Sequence, residues 1–277
     1  MFFGFFYKKP GIKKRKSAML TSMVGKTGRR TLALLDYMTR IFALFWRLLH
    51  LSLFRQKEGR IMVRRGIVEQ VYFTAVQALP IIIPIALIVG IPTILQLAVL
   101  SGQQEAGRIA VILVVRELGP ILTALVVTLR SATAVTIELG YMSVLKEIEA
   151  LEMAGIDPLR LICLPRLVGI TVAIVCLFVV FNLVAIAGSY VLILTFTEAN
   201  ISQFLISFSQ AITGIDIIAS FIKAFSFGII ISLVCIYRGL SCHSNFTWIA
   251  INTSKASMES FFFCLVANIF ITVVFYG

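Results

Sequence analysis

The sequence predicts an all-α integral membrane protein. It has an N-terminal helix lying in the membrane interface, about five transmembrane helices, and a short cytoplasmic helix between spans two and three. Composition is the first reason. Of 277 residues, 59% are apolar and 14% charged, against about half and about one quarter in an ordinary soluble domain. A folded chain of this size keeps a large water-facing shell, so this much apolar surface needs lipid as its solvent. The second reason is five apolar stretches, each long enough to cross a hydrocarbon core of about 30 Å. The third is charge asymmetry. Residues 1–70 carry 16 Lys/Arg and 3 Asp/Glu, and the remainder 9 and 10. These figures exclude a soluble enzyme, a disordered chain and a disulfide-stapled secreted domain.

The elements follow in order. Residues 1–30 read as a basic cytoplasmic tail. Its aromatic run Phe2–Tyr7 precedes the Lys8–Lys16 cluster, the reverse of a cleavable signal. Because the tail runs into apolar spans, its expected partner is anionic lipid headgroups, with no nucleic acid. Residues 31–277 read as one membrane domain. Within it, 31–55 is the interfacial helix: Leu34, Leu35, Met38, Ile41, Phe42, Phe45, Leu48 and Leu49 share a face, while Arg40, Arg47 and Arg55 reach headgroups. Span one is about 71–100. Pro80, Pro84, Gly90 and Pro92 interrupt it, so a bent or re-entrant segment lining something is expected. The other spans are about 107–130, 161–196, 215–237 and 257–276. The 101–106 and 197–214 stretches lack Lys and Arg, so they are expected to face out. The 130–166 region and the 238–256 loop carry Lys or Arg and face the cytoplasm. Five spans then leave the N-terminus cytoplasmic and the C-terminus outside.

Charges inside spans are the informative residues, since each costs a few kcal/mol at the bilayer centre unless paired or wet. Span two holds Arg116 and Glu117 beside Gly119-Pro120, span four holds Lys223 and span five holds Asn268. At a rise of about 1.5 Å per residue, Glu117, Lys223 and Asn268 lie at one level, roughly 12–15 Å from the outer ends of their spans. This coincidence points to a shared polar site or a Glu117–Lys223 latch; a purely structural ion pair is the alternative. At the cytoplasmic turn, Leu145, Ile148, Leu151 and Glu152 follow helical spacing. Gly155 can end that helix and Asp157-Pro158 can begin the next. A short charged amphipathic helix of this kind suits docking of a partner subunit. The five scattered Cys and two His lack metal-ligand spacing. Gly25-Lys26-Thr27 lacks the leading glycine of a phosphate loop, because position 20 is Leu20.

Several blocks together resemble the MlaE/YrbE permease family. They are Arg116-Glu117-Leu118-Gly119-Pro120, Arg130-Ser131-Ala132-Thr133-Ala134, Glu138-Leu139-Gly140-Tyr141-Met142, the run Glu149 to Pro158 containing Gly155-Ile156-Asp157, and Pro165-Arg166. The resemblance covers about residues 60–277. It implies the membrane subunit of an ABC transporter that moves phospholipid or a similar hydrophobic molecule. It further implies a homodimer in a bacterial inner membrane with a periplasmic C-terminus, cytoplasmic ATPase subunits and MCE-domain periplasmic subunits. ATP and Mg would be used by the ATPase partner, with no cofactor bound and no catalysis by this chain. It makes 31–277 a permease domain. It makes about 138–155 a coupling helix, with Glu138, Lys146, Glu147, Glu149, Leu151, Glu152, Gly155, Asp157 and Arg160 facing the ATPase. It places Arg116, Glu117 and Lys223 near the lipid path, with Asn268 standing where the family often has an acidic residue; Val89, Leu97 and Leu100, on the apolar outer end of span one, are the candidate acyl-chain contacts. The alternatives are an ion-coupled secondary transporter working through Glu117, or a membrane scaffold with no substrate path.

Overall fold

In the computed structural model the described residues are 19–53, 60–196, 212–242 and 246–276, and among them every regular element is helical. The chain divides into two units, residues 1–43 and residues 44–277. In the first unit, helix α1 (Met19–Leu53) begins at Met19, so the tail's last twelve residues are helical. No proline interrupts residues 19–30, and a helix extends at little cost once it has a nucleus. Residues 1–18 lie outside the described set. Leu32, Leu35, Met38 and Phe42 are exposed at helical spacing, and Asp36 pairs with Arg40 at 2.9 Å, one turn on.

The second unit takes in the last ten residues of α1, then α2 (Arg60–Thr74), a tight turn at Val76–Ala78 and α3 (Leu79–Ala110). The interruption of span one therefore falls at residues 75–78, and α3 runs unbroken through Pro84 and Pro92. Pro80 stands in the first turn of α3, where a missing N–H costs nothing. Arg130 satisfies the broken backbone from inside the protein. It donates to the Phe73 carbonyl at 2.8 Å and to Gln77 Oε1 at 2.8 Å. Its guanidinium also lies 5.0 Å from the Phe73 ring centre. A chain break at membrane depth is tolerated only with such cover.

A π-helical segment, Val111–Leu118, leads into α4 (Gly119–Val127). A second, Thr128–Ala132, leads into α5 (Thr133–Val144), and the short α6 covers Glu147–Met153. A third, Leu159–Cys163, precedes α7 (Leu164–Phe196); α8 (Gly214–Leu240) and α9 (Phe246–Tyr276) complete the unit. Five stretches are long and apolar enough to span a membrane: Ile61–Thr93, Ile112–Val144, Leu159–Ser189, Gly214–Leu240 and Phe246–Tyr276.

Spans two and five are longer than the sequence suggested, and residues 101–106 are helical rather than a loop. The added parts hold hydroxyl residues that read as polar. Thr133 and Thr136 turn their hydroxyls onto the carbonyls of Leu129 and Ala132, both at 2.8 Å. Thr253 and Ser257 do the same toward Ile249 and Thr253. Hydroxyls satisfied on their own helix can remain at membrane depth.

Packing centres on α7, which α2, α3 and α8 cover, while α9 and α5 lie on α8. Small residues set the approach of α8 to its neighbours. A Cβ on Gly228 would lie 2.6 Å from the Thr171 backbone on α7, and one on Gly239 would lie 2.6 Å from Leu139 Cβ on α5. Gly228→Ala is expected to cost about 1–3 kcal/mol by overpacking, read as a lower melting temperature in detergent. An unchanged melting temperature would show that α7 and α8 can separate freely.

Candidate functional site: a buried charge network

The network begins with a proline. Pro120 has no N–H to offer. It stands where the π register of Val111–Leu118 passes into the α register of α4. The carbonyls that would point to position 120 are Val115, five residues back, and Arg116, four back. Helix α8 supplies the donors instead. Ser220 Oγ donates to the Val115 carbonyl at 3.3 Å, and Lys223 Nζ to the Arg116 carbonyl at 2.9 Å.

Lys223 is wholly buried and also pairs with Glu117 at 2.8 Å. Glu117 in turn accepts from Asn268 Nδ2 at 2.6 Å and from Thr272 Oγ1 at 3.0 Å, both on α9. The three residues expected at one depth thus meet directly, and Glu117 and Lys223 form an ion pair. Glu117 keeps 29% of its side chain exposed against 1% for Lys223.

A second carboxylate, Asp216, lies in the first turn of α8 and is 1% exposed. It forms a reciprocal cap with Thr213, whose N–H and hydroxyl both donate to Asp216 Oδ2, at 3.0 and 2.7 Å. Arg116 pairs with Asp216 Oδ1 at 2.7 Å, and the Tyr276 hydroxyl donates to the same oxygen at 3.0 Å. The Arg116 guanidinium stacks 4.4 Å over the Tyr276 ring. Arg116 is therefore already paired, and the two cations and two carboxylates of the network balance. The π segment, α8 and α9 are tied at one end of the bundle. The sequence reading missed Asp216, Thr213, Ser220, Thr272 and Tyr276. For Thr272 and Tyr276 a signal existed: they continue the i+4 stripe Asn252, Ala256, Ser260, Cys264, Asn268 on α9.

The other expected residues fall elsewhere. Val89 is half-buried on α3. Leu97 and Leu100 belong to the same helix, and their side chains lie outside the described set. Cys163, Cys235, Cys242 and Cys264 are buried and Cys176 is exposed. Between helices, burial pushes the Cys242 thiol up from its usual range, which keeps it protonated.

At the opposite end of the bundle the expected single helix over 138–155 is two helices. Lys146, in a left-handed conformation with φ 60°, separates α5 from α6. A lysine holding that backbone ends the α5 register, so Glu138 sits on a different helix from Glu147, Glu149, Leu151 and Glu152. Glu138 pairs with the buried Arg166 at the start of α7, at 2.7 Å. Lys146 lies 3.8 Å from Glu149 at the surface. Gly155 closes α6 with φ 76°, and the Ile156 N–H reaches back to the Leu151 carbonyl at 3.0 Å. Asp157 accepts from the Leu159 N–H at 3.0 Å, and Arg160 lies in the π segment that follows. Leu145, Met153 and Ile156 are exposed around α6. Ser143 Oγ donates to the Leu240 carbonyl at 3.5 Å, which holds this end against α8.

Five apolar helices with charges paired between them define a multi-pass α-helical membrane protein. The chain belongs to the Permease MlaE family, whose model matches residues 67–274. It is 27% identical over 151 residues to a probable ABC transporter permease protein of Rickettsia prowazekii, covering 54% of this chain and 58% of that protein. It is 24% identical over 149 residues to the intermembrane phospholipid transport system permease protein MlaE of Haemophilus influenzae, covering 53% and 57%. A probable ABC transporter permease protein of Synechocystis is 26% identical over 147 residues, covering 53% and 56%. The chain thus spans less than three fifths of the length of these relatives.

Proposed function

We propose that this chain is the permease subunit of an ABC transporter. It moves phospholipid or a similar hydrophobic molecule between the inner membrane and a periplasmic MCE-domain partner, and ATP hydrolysis in a separate cytoplasmic subunit drives it. Membership of the Permease MlaE family supports this reading, as do the printed names of its relatives. The structural observation that carries it is a division of labour between two ends of one bundle. One end holds the charge network, with Lys223 and Asp216 buried in it. The other presents a seven-residue helix whose Glu147, Met153 and flanking Leu145 and Ile156 stand exposed. A short helix held between two long ones suits receiving a push from an ATPase. α5 leads directly from α6 toward the network, and α8 joins the two ends. In this reading a homodimer places two such bundles around a lipid path, with Val89, Leu97 and Leu100 along it.

Charge reversal on α6 tests this. With tagged chain purified from its own membranes, Glu147→Arg with Glu152→Arg is expected to cut co-purifying ATPase by about tenfold, since like charges at an interface cost a kcal/mol or more. The permease itself should fold as before. Undiminished ATPase recovery with normal lipid movement would remove α6 from the coupling role.

A further inference from the structure

The charge network gives Lys223 two anchors of different kinds. Glu117 is a side chain on a part-exposed helix face. The Arg116 carbonyl is backbone, and Pro120, four residues on, has no N–H to give it. A carbonyl in hydrocarbon without a donor costs several kcal/mol, and the Arg116 carbonyl takes its donor from α8. Ser220 and Lys223 sit three residues apart on α8, on one face, and each takes one carbonyl, at 3.3 and 2.9 Å.

We propose that Pro120 is the positioning residue for Lys223. By withholding its N–H it leaves the Arg116 carbonyl as a fixed acceptor, which together with the Ser220 contact on Val115 sets the register of α8 on span two. It also holds the ammonium in place independently of Glu117. Glu117 is then the exchangeable partner of the pair and Lys223 the stationary one. Any rearrangement of the network proceeds by Glu117 moving with α9, where Asn268 and Thr272 hold it. This inference concerns how the site is built and stands whether or not the transport reading does.

A double-mutant cycle on the full chain in detergent tests it. Lys223→Met orphans the Arg116 carbonyl, and Pro120→Ala returns an N–H that can donate to it. The fall in melting temperature from Lys223→Met is expected to be smaller in the Pro120→Ala background. Equal falls in both backgrounds would overturn the proposal.

A second arm does not depend on the Pro120 variant folding. Lys223 acylation by a membrane-permeant amine reagent is followed by mass spectrometry. Glu117→Gln alone should change the rate by no more than about twofold, because the carbonyl anchor remains. An acceleration of about tenfold or more, the size expected for losing a charged hydrogen bond, would show that Glu117 alone holds Lys223 and overturn the proposal.

Discussion

Lys223→Met is expected to destabilise the protein more than any other single change in the network. The substitution leaves Glu117 with Asn268 and Thr272 but no counter-charge, and it strands the Arg116 carbonyl. Removing one member of a buried ion pair costs about 3–5 kcal/mol, because the other charge stays behind. A single hydrogen bond between membrane helices is worth less, roughly 0.6 kcal/mol on average, so the orphaned charge dominates. Glu117→Gln also leaves a charge without its counter-ion, the buried Lys223 ammonium, but should be milder because the Arg116 carbonyl and the glutamine carbonyl both still accept from it and no carbonyl is stranded. The check is thermal unfolding in detergent, comparing both variants with the parent. A smaller loss for Lys223→Met than for Glu117→Gln would mean that the ammonium is not the keystone.

Asp216→Ala should follow closely, at about 3 kcal/mol. Asp216 is buried and serves three partners on three elements: Thr213, Arg116 and Tyr276. Its loss removes the cap of α8, worth about 1 kcal/mol, and leaves the Arg116 guanidinium unpaired. Asp216→Asn retains an acceptor for the cap and should recover part of the loss. Melting temperatures of the two variants separate the cap from the charge. If they fall equally, the ion pair accounts for the effect; if Asp216→Asn matches the parent, Arg116 does not depend on this partner.

The part of this site that was legible in the sequence is the part that violates hydropathy. Glu117, Lys223 and Asn268 stand out in apolar spans, and a rise per residue is enough to put them at one depth. Asp216 was hidden because an acid in the first turn of a helix is ordinary capping chemistry. Only its Arg116 and Tyr276 partners, 100 and 60 residues away in the chain, reveal more. The span ends were misread because Thr133, Thr136, Thr253 and Ser257 count as polar until their hydroxyls are seen folded onto their own helix. The break in span one was expected at prolines and lies before them, since Pro80 starts a helix as readily as it ends one. The split at Lys146 carries no local signal, because a left-handed backbone is uncommon for lysine and nothing in its neighbours calls for one. The π segments left one trace, the Gly119-Pro120 step, whose missing N–H could have prompted a search for donors.

The account is tested most directly by following a headgroup-labelled phospholipid with the complex purified from its own membrane and reconstituted in vesicles. Lipid movement is expected only when ATP and Mg are both supplied, and Glu147→Arg with Glu152→Arg in this chain should abolish it. Movement that continues without nucleotide and instead collapses with the proton gradient would contradict the account. It would point to ion coupling through Glu117.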